Sequence, residues 1–377
     1  MKETNIDYFY STLSNRKRPY PLYGQIELTY RCGLDCIHCY CKGSEDQAKE
    51  LTTKEWKEII DEIKRRGCFW LIFTGGDPLI REDFLEIYAY AKKKCFIISI
   101  FTNGYSVTDR TINYLAKSPP YCIEITLNGI TQETYESITQ VKGSFDIVME
   151  NIKKIKEKKL LLLLKSNFLK QNKNEIGRIK AFADKFLGKS CGKYYFQYDP
   201  MIYPRLNGDK SSCNHRLSSE EILEVKRADT DIWRQYQKRL HQDFPALKRG
   251  KDFLYHCNSW REGFIIDPYA RLKFCNFSKK SSVNLKTTSF KEGFYQVFPQ
   301  VLKEKFKTNS KCQSCSLRSV CHYCPARAYL ETGDEEAPVP YYCWLAQETA
   351  RQMHVARRTP QTANRQLHTG NENSSLP

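Results

Sequence analysis

Sixteen cysteines stand in a chain of 377 residues, and ten of them fall into two groups whose spacing could do chemistry. The first is Cys32-x3-Cys36-x2-Cys39, followed directly by Tyr40 and Cys41. Three thiolates this close can wrap three corners of a cube-shaped iron–sulfur cluster and leave one iron open to another ligand. The alternative is zinc, with four closed ligands or three plus water, and Cys41 could be the fourth thiol. The second group is Cys257, Cys275, Cys312-x2-Cys315-x5-Cys321-x2-Cys324 and Cys343. Paired CxxC knuckles commonly hold zinc, so a zinc-filled region is the plain alternative here too. Seven thiols do not divide into closed four-cysteine zinc sites; they fit one fully ligated cluster and one with three cysteine ligands. Of the other cysteines, Cys68, Cys95 and Cys122 border apolar runs and are expected to be small fillers. Cys213 falls in a loop, where a surface thiol is the plainer reading than a catalytic one. His38, inside the first group, is expected to be structural or solvent-facing rather than a ligand.

Such thiols need a scaffold, and the segment 24–200 alternates short apolar runs with helix-period stretches. Strands are expected at Gly24–Thr29, Phe69–Thr74, Phe96–Phe101, Cys122–Leu127, Leu160–Leu164 and Tyr194–Tyr198. Helices are expected between them: one opened by the Thr52/Glu55 capping box with Trp56, Ile59, Ile60 and Ile63 on one face, one carrying Phe84, Ile87, Tyr88 and Ala91, then Asp109–Ala116, Phe145–Lys158 and about Glu175–Phe186. Continuous apolar strands between amphipathic helices indicate a parallel sheet covered by helices, curled by right-handed crossovers into a partial barrel. The fold class is therefore α/β, a partial (β/α)6 TIM-like barrel followed by a small, loop-rich, Cys-rich domain. In such a barrel, ligand chemistry gathers at the C-terminal ends of the strands. Cys32–Cys39, Gly75-Gly76-Asp77-Pro78, Asn103-Gly104 and Asn128-Gly129 each follow one of the first four strands, on one rim.

The segment CGLDCIHCY from Cys32 resembles the signature of the radical S-adenosylmethionine (SAM) superfamily, and Gly75-Gly76-Asp77-Pro78 resembles its Gly-Gly-Glu-Pro motif with Asp in place of Glu. The resemblance implies a [4Fe-4S] cluster on Cys32, Cys36 and Cys39 whose open iron binds SAM. It implies Tyr40 near the adenine, Gly75 and Gly76 letting backbone approach the methionyl ammonium, Asp77 adding charge beside Pro78, and Asn103 and Asn128 on the rim near SAM. A plain turn is the other reading of each Asn-Gly pair. Asn128 departs from the Asp-Gly usual after the fourth strand.

The downstream cysteines, with Cys324-Pro325-Ala326-Arg327 and Glu331-Thr332-Gly333-Asp334, resemble the SPASM extension of that superfamily. That resemblance implies two auxiliary [4Fe-4S] clusters, three clusters in all. Cys257, Cys275 and Cys324 would hold the nearer, and Cys312, Cys315, Cys321 and Cys343 the farther. Ala270 stands where the extension usually has Gly, and the last pair is spaced x2 rather than x3. SPASM relatives commonly modify peptides by thioether crosslinking, epimerisation or oxidation. In the sulfatase-maturing members an Asp acting as base follows the auxiliary-cluster cysteine; here Asn276 does, and an amide cannot accept that proton at neutral pH.

The expected divisions are an N-terminal extension 1–23, a core barrel 24–200, a connecting helical and loop region 201–253 with a charged helix at about Glu220–Arg239, an auxiliary-cluster domain 254–350, and a disordered tail 354–377. No apolar run is long enough for a membrane span and none near the start suits a signal peptide, so a reducing, cytoplasmic compartment is expected. The formal charge of +17 invites RNA, but much of it sits on helix faces, such as Lys153, Lys154, Lys156, Lys158 and Lys159, as solvated faces do. The expected partners are a peptide or protein substrate and an electron donor such as flavodoxin or ferredoxin. No appended peptide-recognition domain is evident, so a separate recognition protein is expected if a leader peptide is bound. The rivals are a radical SAM enzyme acting on RNA or a small molecule, and a non-enzymatic iron–sulfur or zinc protein. No catalytic acid or base is singled out.

Overall fold

In the computed structural model, the described residues are 19–44, 49–188, 196–230, 233–234, 236–237, 250, 252–257 and 261–358. The first half alternates strand and helix as its periodicity predicts: β1 (Tyr23–Thr29), α1 (Thr53–Arg65), β2 (Trp70–Gly75), α2 (Phe84–Lys93), β3 (Ile97–Thr102), α3 (Asp109–Lys117), β4 (Cys122–Thr126), α4 (Gln132–Thr139), α5 (Ser144–Glu157), β5 (Leu162–Asn167), α6 (Ile176–Leu187) and β6 (Phe196–Asp199). The Thr52/Glu55 capping box forms, with Thr52 N donating to Glu55 Oε2 at 2.8 Å, and α1 buries Trp56, Ile60 and Ile63. Helix α4 was not expected from the sequence; it is short, and Thr131 caps it by accepting from Thr134 N.

The strands are parallel in the order β6-β5-β4-β3-β2-β1, and the sheet continues past β1. Strand β7 (Gly263–Ile266), from the Cys-rich segment, pairs parallel with β1, and β8 (Arg271–Lys273) and β9 (Val283–Asn284) extend the edge antiparallel. Two reciprocal contacts lock that joint. A Cβ on Gly24 would stand 2.5 Å from the Phe264 ring, and one on Gly263 would stand 2.3 Å from the Tyr23 ring. Each glycine leaves the space that its neighbour's aromatic ring occupies.

The strands are not apolar on both faces, which corrects the expectation of continuous apolar runs. Ile26, Leu28, Leu71, Phe73, Ile98, Ile100, Ile123, Ile125, Leu162 and Leu164 enter the main core with the helices. The residues between them face the other way and are largely polar: Gln25, Glu27, Thr29, Thr74, Ser99, Glu124, Thr126, Lys165 and Asn167. The helices cover one face only, so the inner face is free to be polar. Strand β5 is accordingly displaced from the expected Leu160–Leu164 to Leu162–Asn167.

Beyond the barrel, α7 (Ser219–Ala228) breaks at Asp229 and helical backbone resumes, with Trp233 N donating to Asp229 O at 2.8 Å; most of 231–249 lies outside the described residues. The Cys-rich half has its own aromatic core: Phe264 meets Phe290 at 4.8 Å between ring centroids, Phe290 meets Phe294 at 5.6 Å, and Phe294 meets Phe298 at 5.7 Å. Each such pair adds about 1 kcal/mol beyond its buried area. Helices α8 (Pro325–Thr332) and α9 (Pro340–Arg358) close the molecule. Helix α9 runs on through the expected start of the tail, and residues 359–377 lie outside the described residues, as do 1–18 and Cys191. Among the described residues, no helix is long and apolar enough to cross a membrane.

Candidate functional site

The loop after β1 carries Cys32, Cys36 and Cys39 to the strand-end rim, where their ionisations perturb one another. Burial pushes the Cys32 thiol up to about 11, and Cys39 adds to it. Burial followed by repulsion from Cys39 and Cys32 raises Cys36 further. Cys39 is instead drawn down to about 7 by a hydrogen bond from the neighbouring Cys41 thiol. Cys41 is buried beside Cys39.

The Gly75–Pro78 loop is clamped to this loop by backbone bonds. Gly76 N donates to Thr29 O at 2.7 Å, and Asp77 N donates to Arg31 O at 3.0 Å. A Cβ on Gly75, whose φ is +142°, would stand 2.1 Å from Thr29 O, and one on Gly76 would stand 2.4 Å from Arg31 O. The space both glycines leave on the Cβ side is filled by the backbone of the β1 loop. The Asp77 carboxylate is fully buried and accepts from Thr102 Oγ1 at 2.7 Å, Asn103 N at 3.0 Å and Leu79 N at 2.9 Å. That carboxylate ties the β2 loop to the end of β3. Pro78 begins a 3-10 turn directly behind it.

Asn103 acts on the first thiol, its Nδ2 donating to Cys32 Sγ at 3.1 Å while its Oδ1 accepts from Tyr105 N at 2.7 Å. Asn128 is buried at the end of β4, where its Oδ1 accepts from Asn167 N at 2.8 Å and its Nδ2 lies 3.2 Å from His38 Nε2. His38 therefore has the structural place expected of it, and burial, with nearby His215, lowers its pKa to about 4. Tyr40 packs its ring 5.7 Å from Phe277, a residue of the Cys-rich half, and Phe277 meets Tyr203 at 4.9 Å. The guanidinium of Arg327 covers Tyr203 at 4.1 Å.

In the Cys-rich half the thiols gather in two sets. Cys275 is perturbed by Cys324 and Cys257, and burial pushes it up to about 12. Cys257, Cys275, Cys321 and Cys324 line one cavity of about 530 Å³ together with Tyr23, Asn276 and Arg327. Cys321, pushed up to about 11 by burial, is perturbed by Cys343, Cys312 and Cys315. Among the described residues, no three His, Cys, Asp or Glu side chains converge on a point as the ligands of one ion do. The all-thiol donor chemistry of the three sets fits iron–sulfur clusters, and the cavity of about 530 Å³ gives room beside Cys257, Cys275 and Cys324.

Several inner-face residues carry charge that the reading of the sequence passed over. Glu27 is wholly buried and accepts from Tyr30 Oη at 2.9 Å and Asn276 Nδ2 at 2.9 Å. Lys273, which stands 3.1 Å from Asp267, completes this network between β1 and β8. Burial raises Glu27, and Lys273 pulls it back. The period-2 alternation in Gln25-Ile26-Glu27-Leu28-Thr29 and in Cys122-Ile123-Glu124-Ile125-Thr126 was the available signal.

Residues 26–183, which contain the three-thiol loop and the Gly75–Pro78 loop, match the model of the Radical SAM superfamily. Those residues carry a radical SAM domain. A radical SAM core implies a [4Fe-4S] cluster and SAM, and the protein is an enzyme. It is 26% identical over 335 residues to an AdoMet-dependent heme synthase of Methanosarcina barkeri, covering 84% of this chain and 94% of that one. It is 34% identical over 129 residues to the mycofactocin maturase MftC of Mycolicibacterium smegmatis, a match that spans only 33% of the maturase. A likeness of fold to solved structures extends into the Cys-rich half. Streptococcus suis SuiB bound to S-adenosylmethionine superposes with a TM-score of 0.64 at 16% identity over 86% of this chain and 75% of SuiB. Native anSMEcpe with bound AdoMet gives 0.65 at 17% identity over 89% and 99%.

Proposed function

We propose that this radical SAM enzyme modifies a peptide or protein by abstracting hydrogen from it, a maturase-type reaction such as thioether crosslinking, epimerisation or oxidation. The observation that carries the reading is the three-thiol loop clamped to the Gly75–Pro78 loop above a polar, helix-free inner face. Cys32, Cys36 and Cys39 would hold the SAM cluster, with Asn103 steadying Cys32. SAM and its reduced cluster supply one-electron cleavage to methionine and a 5′-deoxyadenosyl radical, which takes hydrogen from an unactivated carbon. The chain's part is to bind, orient and exclude water. Tyr40, held by Phe277, fixes the loop's exit, and Asn128 and His38 brace the opposite side of the rim.

Cys257, Cys275 and Cys324 would hold a nearer auxiliary cluster with an open fourth position, and Cys312, Cys315, Cys321 and Cys343 a farther one. The two electrostatically coupled thiol sets support that division. A maturase among the relatives, and the structural likeness to SuiB with precursor peptide SuiA and to anSMEcpe with a Kp18Cys peptide, support a peptide substrate. A flavodoxin or ferredoxin would deliver electrons in a reducing, cytoplasmic setting, and a separate protein would present any leader peptide. A second reading, a small-molecule substrate of tetrapyrrole type, is favoured by the match along 94% of a heme synthase.

Anaerobic reconstitution tests the cofactors: three clusters require about twelve irons per chain. The substrate is tested by 5′-deoxyadenosine formation and mass spectrometry with candidate Cys-containing peptides and with an iron porphyrin. Modified peptide supports the first reading; turnover on the porphyrin alone replaces it with the second. Zinc content without SAM cleavage ends both.

A further inference from the structure

The parallel register sorts the inner face into layers. At the floor, Trp70 Nε1 donates to Ser99 Oγ at 3.1 Å, Cys122 Sγ donates to the same oxygen at 3.4 Å, and Tyr121 sets its ring edge-on to Trp70 at 4.8 Å. In the next layer Glu124 is paired across the sheet with Phe101 and Leu163. Above it Thr126 is paired with Lys165. At the top Asn128 meets Asn167 and His38, beneath the three-thiol loop.

Glu124 differs from every other buried carboxylate on this face. Glu27 has Tyr30, Asn276 and Lys273, and Asp77 has three donors. Glu124 is 7% exposed, yet among the described residues it makes no hydrogen bond and no ion pair within 4 Å. Lys165 likewise makes none among the described residues and reaches Glu124 only through the longer-range field that partly offsets the carboxylate's burial. The Glu124 oxygens are not among the buried atoms left without a partner, so they are open to water or to a ligand that replaces it.

We propose that Glu124 and Lys165 are the substrate clamp of the barrel, and that the group they clamp is an amide. The two residues cancel in charge, so a ligand with net charge would leave one of them unmatched. A dipolar group with one donor and one acceptor satisfies both: an N–H to the Glu124 carboxylate and a C=O from the Lys165 ammonium. The peptide backbone is the commonest such group, so the clamp rests on the peptide reading of the function and deepens it. A tetrapyrrole with carboxylate arms would use Lys165 and repel Glu124. The clamp lies between floor and rim, where a bound chain would present its carbon to the site under Cys32–Cys39. These are positioning residues, which set where the substrate sits.

The test is a ligand-observed NMR titration of the full-length chain with N-acetylalanine methylamide, and with succinate as a charged probe of similar size. The amide should bind saturably to the wild type and more tightly than succinate. Glu124→Ala and Lys165→Met should each weaken it roughly tenfold, the loss of one charge-assisted hydrogen bond. Glu124→Gln, which keeps the shape and one acceptor, should weaken it less and so controls for misfolding. Amide binding that is absent in the wild type, or unaltered in Glu124→Ala and Lys165→Met, overturns the proposal. So does succinate binding more tightly than the amide through Lys165 alone, the pattern expected of an anionic small molecule. The proposed function stands or falls separately, on SAM cleavage and peptide modification by the wild type.

Discussion

The two cysteine-bearing regions are built on different principles. In the barrel, the three thiols sit on a loop whose neighbours are fixed several times over. Backbone bonds hold Gly76 and Asp77, the Asp77 carboxylate gathers three donors, and Asn103 holds Cys32. In the Cys-rich half, Cys257, Cys312, Cys315 and Cys321 lie in irregular backbone between short elements, and Cys257 and Cys315 are exposed. Its regular structure is three short strands on the edge of the barrel sheet and helices α8 and α9, packed with an aromatic core. The first region is held by the chain's own hydrogen bonds; the second is expected to take more of its order from what its thiols bind.

The comparison breaks most visibly at the thiols. Cys36→Ala should abolish 5′-deoxyadenosine formation and remove about four irons, leaving the remaining clusters in place. Retained SAM cleavage would refute the assignment of the three-thiol loop. Cys275→Ala should also lose about four irons, but with an added structural cost that Cys36→Ala lacks. Limited proteolysis should then cut first between residues 254 and 325, and equal protection of both variants would erase the distinction drawn between the regions.

Asp77→Asn places an NH2 group against donors that need acceptors and should lower stability by about 2 kcal/mol, read by thermal unfolding. If it is silent, the clamp between the two rim loops is not needed for rigidity. A pH effect should follow from His38. Its folded-state pKa is near 4 against an ordinary 6.5, so between those values the unfolded chain binds the extra proton. Its contribution is present above pH 6.5 and lost as the pH falls towards 4. His38→Asn should flatten that part of the stability profile, and an unchanged slope would place the effect elsewhere.

The smallest effect belongs to the Cys-rich half. Ala270 has φ +66°, in the left-handed region, where the sequence resemblance expects glycine. Its carbonyl accepts from Leu285 N at 2.8 Å, which fixes the turn between β7 and β8. Ala270→Gly should stabilise the chain by about 1 kcal/mol by removing the clash of Cβ with the following carbonyl. A loss of stability would show that the turn tolerates alanine without strain.

Much of this was written in the chain itself. The alternation of apolar runs and helical periods placed six strands and most of their helices, because burial against one layer imposes a local period. The spacing of Cys32, Cys36 and Cys39 and the Gly-Gly-Asp-Pro run marked the rim, because close thiols and a strand-end loop are local features. The addition of β7, β8 and β9 to the barrel sheet was not legible, since strands of two to four residues carry too little pattern. Nor were the close contacts of Gly75 and Gly76 and the hydrogen bonds of Asp77, whose partners come from the β1 loop and the end of β3. The pairing of Tyr40 with Phe277 joins residues more than two hundred positions apart. Glu124 and Lys165 were each visible as charges in apolar runs, but only the register of β4 and β5 set them on one face, one layer apart. Local chemistry and periodicity are properties of the chain. Which carboxylate is satisfied and which is left for a ligand depends on distant donors, and only the folded arrangement supplies them.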